Sequence, residues 1–222
     1  MKHALNNFAI IIPSYNEQKT INKTIKAVSK YGFPIVIDDF SSDNTEIIID
    51  KSICFYHRNN KNYGYDLTLE KGFEIALLNN FSYAITVDAD LQNHLDDLKK
   101  ITKLLKSCDL VATIRNKKQR ISEYIFGIIS HMTIGINDPL SGLKGYNLKL
   151  YKDYKFISYY KSIGTWLLLR SVLSKKKIRI INIKINPRED ESRFGGSISA
   201  NIKIFIAMFF FIITFIKFRN AN

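Results

Sequence analysis

Two aspartates one residue apart, Asp88 and Asp90, close the apolar run Tyr83–Val87. In an extended chain alternate side chains share a face, so both carboxylates can point at one ion. Hard divalent cations take one or two carboxylates and keep positions for substrate phosphates. An isolated Asp-x-Asp serves equally well as a strand end and a helix cap. This pair is not isolated. Asp38 and Asp39 end an earlier apolar run, Pro34–Ile37, just before Ser41-Ser42-Asp43-Asn44-Thr45. Pro13-Ser14-Tyr15-Asn16-Glu17 closes the first run, Phe8–Ile12, in the same manner. Acids gathered at one sheet edge are costly to bury unless a cation or hydrogen-bond donors compensate them.

The elements that must position these acids alternate in type. Phe8–Ile12, Pro34–Ile37, Tyr83–Val87 and Leu110–Ile114 are short, apolar and largely β-branched, as strands buried on both faces are. Between them Ile21, Ile25 and Val28, and later Leu95, Leu98, Thr102 and Leu105, recur at helical spacing. This alternation predicts an α/β fold, a mostly parallel sheet flanked by helices. Ligands of such sheets bind beyond the carboxyl ends of the strands, where the acids lie. After Arg115 the pattern changes. Ile121, Tyr124, Ile125, Ile128, Ile129 and Met132 form one apolar stripe, and Ile178–Ile185 alternates as a strand. From Ile204 to Ile216 only Thr214 is polar, with Lys203 before and Lys217 and Arg219 after. We therefore expect a domain over 1–198 and an apolar helix over 199–222.

Charge narrows the partners. Lysine and arginine total 33 against 20 acids, a net charge of +13, which asks for a polyanion: nucleic acid, an anionic membrane or a phosphate-bearing substrate. A nucleic-acid module lacks its interleaved basic and aromatic motifs here and leaves the acid clusters without a role, so no nucleic-acid partner is expected. Two cysteines, Cys54 and Cys108, fit a reducing compartment. Met1–Asn7 lacks the apolar run of a signal peptide, which points to the cytoplasmic face. His57, His94 and His131 do not share metal-ligand spacing.

Together, Pro13–Glu17, Val36–Thr45 and Val87-Asp88-Ala89-Asp90-Leu91-Gln92 resemble, in order and spacing, the signatures of glycosyltransferase family 2, which has the GT-A fold. The resemblance extends through Asn62–Tyr65 and Asp138-Pro139-Leu140-Ser141-Gly142 to Arg188–Arg193. Within the family, the Asp-Ala-Asp-Leu-Gln form looks most like dolichol-phosphate mannose synthases and bacterial polyprenyl-phosphate relatives.

The resemblance implies roles. Pro13, Tyr15, Glu17 and Asp39 would frame the donor's base and ribose. Asp88, Asp90 and Gln92 would hold Mg²⁺ or Mn²⁺ against the diphosphate, with Asp88 also facing the nucleotide. Arg115 and Arg120, with Ser141, Arg188, Ser192 and Arg193, would grip donor or acceptor phosphates, since guanidinium forks match phosphate oxygens. Asp90, Arg115 and Arg120 would be catalytic. Two positions depart from the pattern: Asp190 replaces a loop glycine, and Asn137 stands where relatives carry an arginine, with Lys144 nearby as a substitute.

The implied activity is inverting transfer of a hexose from a GDP- or UDP-sugar to a polyprenyl or dolichyl phosphate. The alternative keeps the donor and takes a glycan or other hydroxyl acceptor. The apolar tail of Ile204–Ile216 would rise only about 20 Å as a helix, short of the ~30 Å of a bilayer core. Peripheral or monotopic attachment is therefore expected, through this tail and the stripe beginning at Ile121.

Overall fold

The computed structural model describes residues 7–90, 95–118, 120–154, 162–185 and 197–219. Four of its strands follow from the apolar runs: β1 (Phe8–Ser14), β2 (Phe33–Asp38), β4 (Tyr83–Thr86) and β5 (Leu110–Arg115). Three more complete the sheet: β3 (Phe55–Arg58), β6 (Lys144–Asn147) and β7 (Ile178–Ile183). Their order is β3-β2-β1-β4-β6-β5-β7. All neighbours run parallel except at β6, which is antiparallel to both β4 and β5.

Register explains why the acids meet. Ser14 pairs with Asp38, Asp38 with Arg58, and Ile11 with Thr86. The carboxyl ends of β3, β2 and β1 therefore finish level, and the residues beyond the shorter β4, Val87 to Asp90, come out at the same edge. Because β6 runs the opposite way, its first residue, Lys144, pairs with Thr86 at that same edge. An all-parallel strand would have carried Lys144 to the far side.

Both faces of the sheet are covered, and the period of two is visible in β1. Ala9 and Ile11 enter one core with Leu69 and Phe73 of α3 (Tyr65–Leu78) and Trp166, Leu167 and Leu168 of α7 (Ile163–Leu173). Ile10 and Ile12 enter the other with Ile21 and Ile25 of α1 (Ile21–Val28) and Leu98 and Ile101 of α4 (Leu95–Leu105). Cys54 and Cys108 are buried, and burial pushes the Cys54 thiol up to about 11. Short α2 (Thr45–Ile48) and α6 (Leu148–Tyr154) complete the domain with two longer helices.

Those two set the outer wall. In α5 (Ile121–Ile134) the buried residues are Ser122, Glu123, Phe126, Gly127 and Ser130. The apolar stripe faces out: Ile121 is 77% exposed, Ile128 62% and Met132 80%. α8 (Ser197–Arg219) packs on α5 and α7, where Ile204, Ala207 and Phe211 meet Phe126 and Leu169. Burying each large side chain contributes about 1.5–3 kcal/mol. Ile198, Ile202, Phe205, Ile206 and Phe209 stay exposed on its other side.

The short-tail argument needs correction. α8 is one helix of 23 residues, and Ile198–Arg219 is long and apolar enough to cross a bilayer by length and composition. Ser199, Asn201 and Lys203 interrupt the apolar run in sequence without interrupting the helix. Asn201 Oδ1 accepts a hydrogen bond from Ser122 Oγ of α5 at 2.5 Å, so one interruption is an anchor.

Candidate functional site

The two loops beyond β1 and β2 are laced together. Asp39 donates its backbone N–H to the Ser14 carbonyl at 2.8 Å. The Asn16 N–H donates to Ser41 Oγ at 2.9 Å, and Asn16 Oδ1 accepts from the N–H groups of Ser42 and Asp43 at 2.8 and 3.3 Å. Glu17 donates its N–H to Thr45 Oγ1, and its carboxylate accepts from Thr20 Oγ1, both at 2.9 Å. Glu17 is buried, Pro13 half-buried and Tyr15 at the surface.

Each carboxylate of this edge has its own task. Asp38, fully buried, accepts from the Ser41 N–H at 3.0 Å and from the Tyr56 hydroxyl at 2.9 Å. Asp39 accepts from Asn59 Nδ2 (2.8 Å), the Tyr63 N–H (2.9 Å) and the Gly64 N–H (2.7 Å). A carboxylate offers about four acceptor directions. Asp39 thus fixes the loop over 59–64 and keeps about one acceptor direction for a base or ribose. Gly64 sits at φ +88°, a conformation that presents its N–H to Asp39 at small cost only without a side chain.

Past β4, Thr24 Oγ1 donates to the Ala89 carbonyl at 3.0 Å and holds the turn between Asp88 and Asp90. Tyr65 donates its hydroxyl to Asp88 Oδ1 at 3.2 Å. The Asp138–Gly142 segment lies directly against this carboxylate: a Cβ on Gly142 would stand 2.5 Å from Asp88 Oδ2. Asp90 is 9% exposed. This is a hard-oxygen donor set with two carboxylates, which suits Mg²⁺ or Mn²⁺ with positions left for phosphates. Among the described residues no group of three or more His, Cys, Asp or Glu is placed to hold a metal ion. Gln92 lies outside the described residues.

The arginines are held elsewhere in the same wall. Arg115 grips Asp138 with Nε and Nη2, each at 2.9 Å, and reaches Glu123 Oε2 from Nη2 at 2.9 Å. Its backbone N–H also donates to Asp138. Arg120 Nη1 reaches Glu123 Oε1 at 3.3 Å. Burial disfavours the Arg115 charge, but the two carboxylates outweigh that and raise its pKa. Ser141 is buried and shares a 2.5 Å hydrogen bond with Thr113. Arg188, Ser192 and Arg193 lie outside the described residues.

Three further residues matter that motifs did not single out for these roles. Glu123 bridges Arg115 and Arg120 from the hidden side of α5. Asp66 accepts the N–H groups of Ser162 and Ile163 at 2.8 and 2.9 Å, fastening the start of α7. Lys144 is fully buried and donates Nζ to the carbonyls of Pro139, at 2.9 Å, and Ser141. Burial pulls its pKa down to about 8, partly opposed by Asp138 and Asp88.

Against known proteins, residues 9–175 match the model of glycosyl transferase family 2. The chain belongs to glycosyltransferase family 2. An uncharacterised protein of Methanocaldococcus jannaschii is 31% identical over 194 residues, covering 77% of this chain and 83% of that protein. The undecaprenyl-phosphate 4-deoxy-4-formamido-L-arabinose transferase of Pectobacterium atrosepticum is 29% identical over 129 residues, 52% of this chain and 38% of that enzyme. This glycosyltransferase thus matches well under half the length of that relative. Among solved structures, glucosyl-3-phosphoglycerate synthase from Mycobacterium tuberculosis, in complex with Mn²⁺, UDP-glucose and phosphoglyceric acid, superposes with a TM-score of 0.71. It is 16% identical and covers 94% of this chain and 80% of its own. The fold is GT-A, as the resemblance implied.

Proposed function

We propose that this glycosyltransferase moves a hexose from a GDP- or UDP-sugar to a polyprenyl phosphate, with inversion, at the cytoplasmic face of a membrane. The observation that carries it is the continuity of the outer wall. The exposed stripe of α5 runs into the Asp138–Gly142 segment, which touches the Asp88 carboxylate. An acceptor phosphate at headgroup depth would then lie within reach of the donor.

Asp88 and Asp90 would hold Mg²⁺ or Mn²⁺, with Gln92 as a further candidate. The ion, when bound, neutralises charge on the departing nucleoside diphosphate. The loops laced by Asn16 and Ser41 present the nucleotide, and Asp39 keeps the wall over 59–64 in place. Arg115, whose charge Asp138 and Glu123 balance, and Arg120, which shares Glu123, are held beside the site as the proposed phosphate-facing arginines. Arg188, Ser192 and Arg193 are proposed as further phosphate-binding residues.

A lipid phosphate is already an anion, so it needs positioning rather than deprotonation. This favours it over a hydroxyl acceptor, which needs a general base. Asp138, the nearest candidate for that base, is engaged by Arg115.

Attachment follows from the exposed apolar faces of α5 and α8, with Lys217 and Arg219 at the end of α8 for anionic headgroups. In this scheme residues 1–198 hold the donor site and share attachment, through α5, with residues 199–222. The deciding experiment incubates purified protein with radiolabelled GDP- and UDP-hexoses, Mg²⁺ or Mn²⁺ and polyprenyl phosphate, then counts label in the organic phase. Label in the organic phase supports the proposal; label appearing only with a glycan acceptor supports the alternative.

A further inference from the structure

Phe40 follows Asp39 at the carboxyl edge of the sheet, in the loop laced to that of β1. Two features of it are unusual. Its φ is +65°, in the left-handed region that a bulky side chain enters at a cost. Its ring is 45% exposed, although the residues on either side, Asp39 and Ser41, are buried. A strained backbone that turns an aromatic ring outward is not explained by core packing. Strain of this kind concentrates where a ligand is held.

The ring is also backed. The Arg58 guanidinium lies 4.9 Å from its centroid, and Arg58 is itself fixed by Glu46 and by the Ser41 carbonyl at 3.1 Å. A guanidinium over one face holds the ring in place and leaves the rest of it open. A rigid, open aromatic face suits a flat, π-rich partner. Beside a diphosphate-binding edge, the flat partner is a nucleobase.

We propose that Phe40 is the stacking platform for the donor nucleobase and sets how strongly the site prefers a nucleoside diphosphate over diphosphate alone. This rests on the donor role proposed above. The ring touches the base only and takes no part in the chemistry.

Glycine at this position removes the ring and the strain together, so binding and stability should part company. Calorimetric titrations with Mg²⁺ would compare UDP, GDP and inorganic pyrophosphate on the full-length wild type, Phe40→Gly and Phe40→Tyr. Phe40→Gly should bind UDP and GDP roughly tenfold or more weakly, the scale of one base–aromatic stack. Pyrophosphate affinity should stay within about twofold, since the ring does not touch phosphate. The thermal midpoint of Phe40→Gly should hold or rise by roughly 2–4 °C as the left-handed strain is relieved. Phe40→Tyr, with the same ring, should bind as the wild type does. If Phe40→Gly binds both nucleotides as tightly as the wild type, or loses pyrophosphate to the same extent, the platform is overturned while the donor role stands. If the wild type binds neither nucleotide, the donor role falls and the platform with it.

Discussion

The two halves of the site edge use carboxylates in opposite ways. Beyond β1 and β2, Asp38 and Asp39 are buried and accept chiefly from uncharged donors: backbone N–H groups, a tyrosine hydroxyl and an asparagine amide. They shape loops. Beyond β5 and along α5, Asp138 and Glu123 are equally buried but pair with the guanidinium groups of Arg115 and Arg120. They hold charge. The outer surfaces differ as well: the first half exposes a loop edge of polar groups and scattered aromatic rings such as Tyr15, Phe40 and Tyr63, the second an apolar stripe with its polar residues turned inward. A helix that buries Ser122, Glu123 and Ser130 while exposing Ile121, Ile128 and Met132 presents the apolar face that the proposed membrane contact requires.

The largest effect should come from the pair between the halves. Asp90→Ala, or excess EDTA on the wild type, should reduce transfer by about 10³-fold or more, the scale of several kcal/mol of metal-assisted charge stabilisation. Circular dichroism should show the variant folded, because Asp90 lies beyond the end of β4 and takes no part in the sheet ladder. Full activity in EDTA would remove the metal from the scheme.

Next come the buried ion pairs. Asp138→Ala leaves Arg115 desolvated beside a single carboxylate and should cost about 3–5 kcal/mol of unfolding free energy. Asp39→Ala frees three uncharged donors that water can reach through a loop, and should cost less, about 1–3 kcal/mol. Urea denaturation of both variants measures the difference; equal losses would erase the contrast between the halves.

Lys144 gives the contrast a pH signature. Its native pKa, about 8, lies below the 10.5 of the unfolded chain, so between those values the unfolded state binds more protons. Stability attributable to this residue should therefore rise with pH across that window, by about 3 kcal/mol at most, and be flat below it. The difference between the denaturation curves of wild type and Lys144→Met isolates it; a difference that does not change with pH would show that the ammonium is not desolvated.

Much of the first half was legible because its information is local. The apolar runs marked β1, β2, β4 and β5, and the residues after each run carried the acids. β3 and β6 escaped because four-residue strands such as Phe-Tyr-His-Arg and Lys-Gly-Tyr-Asn have no apolar period of their own; pairing with neighbours creates them. The partners of Asp39 lie 20 to 25 residues away and those of Arg115 lie 8 and 23 away, separations no local pattern encodes. Arginines expected to meet phosphate were visible as charges. Their carboxylate partners were hidden, one of them on the buried face of the helix that carries the apolar stripe.

The smallest effect on stability should accompany the clearest effect on location. Ile128 is 62% exposed at the middle of the α5 stripe, so Ile128→Glu removes little packing and should change unfolding free energy by no more than about 0.5 kcal/mol. On a membrane the same change places a carboxylate among acyl chains and anionic headgroups, where it is opposed by desolvation and by surface potential. Deleting α8 is a poorer probe, since it would uncover Phe126 and Leu169 and confound detachment with unfolding. Flotation with anionic liposomes, beside a nucleotide titration, is the measurement. Ile128→Glu should move from the floated to the soluble fraction with nucleotide affinity unchanged, because the donor loops lie on the other half of the edge. Ser42→Glu, an exposed charge among those loops, should float as the wild type does. If both variants float alike, the outward stripe of α5 does not meet the bilayer.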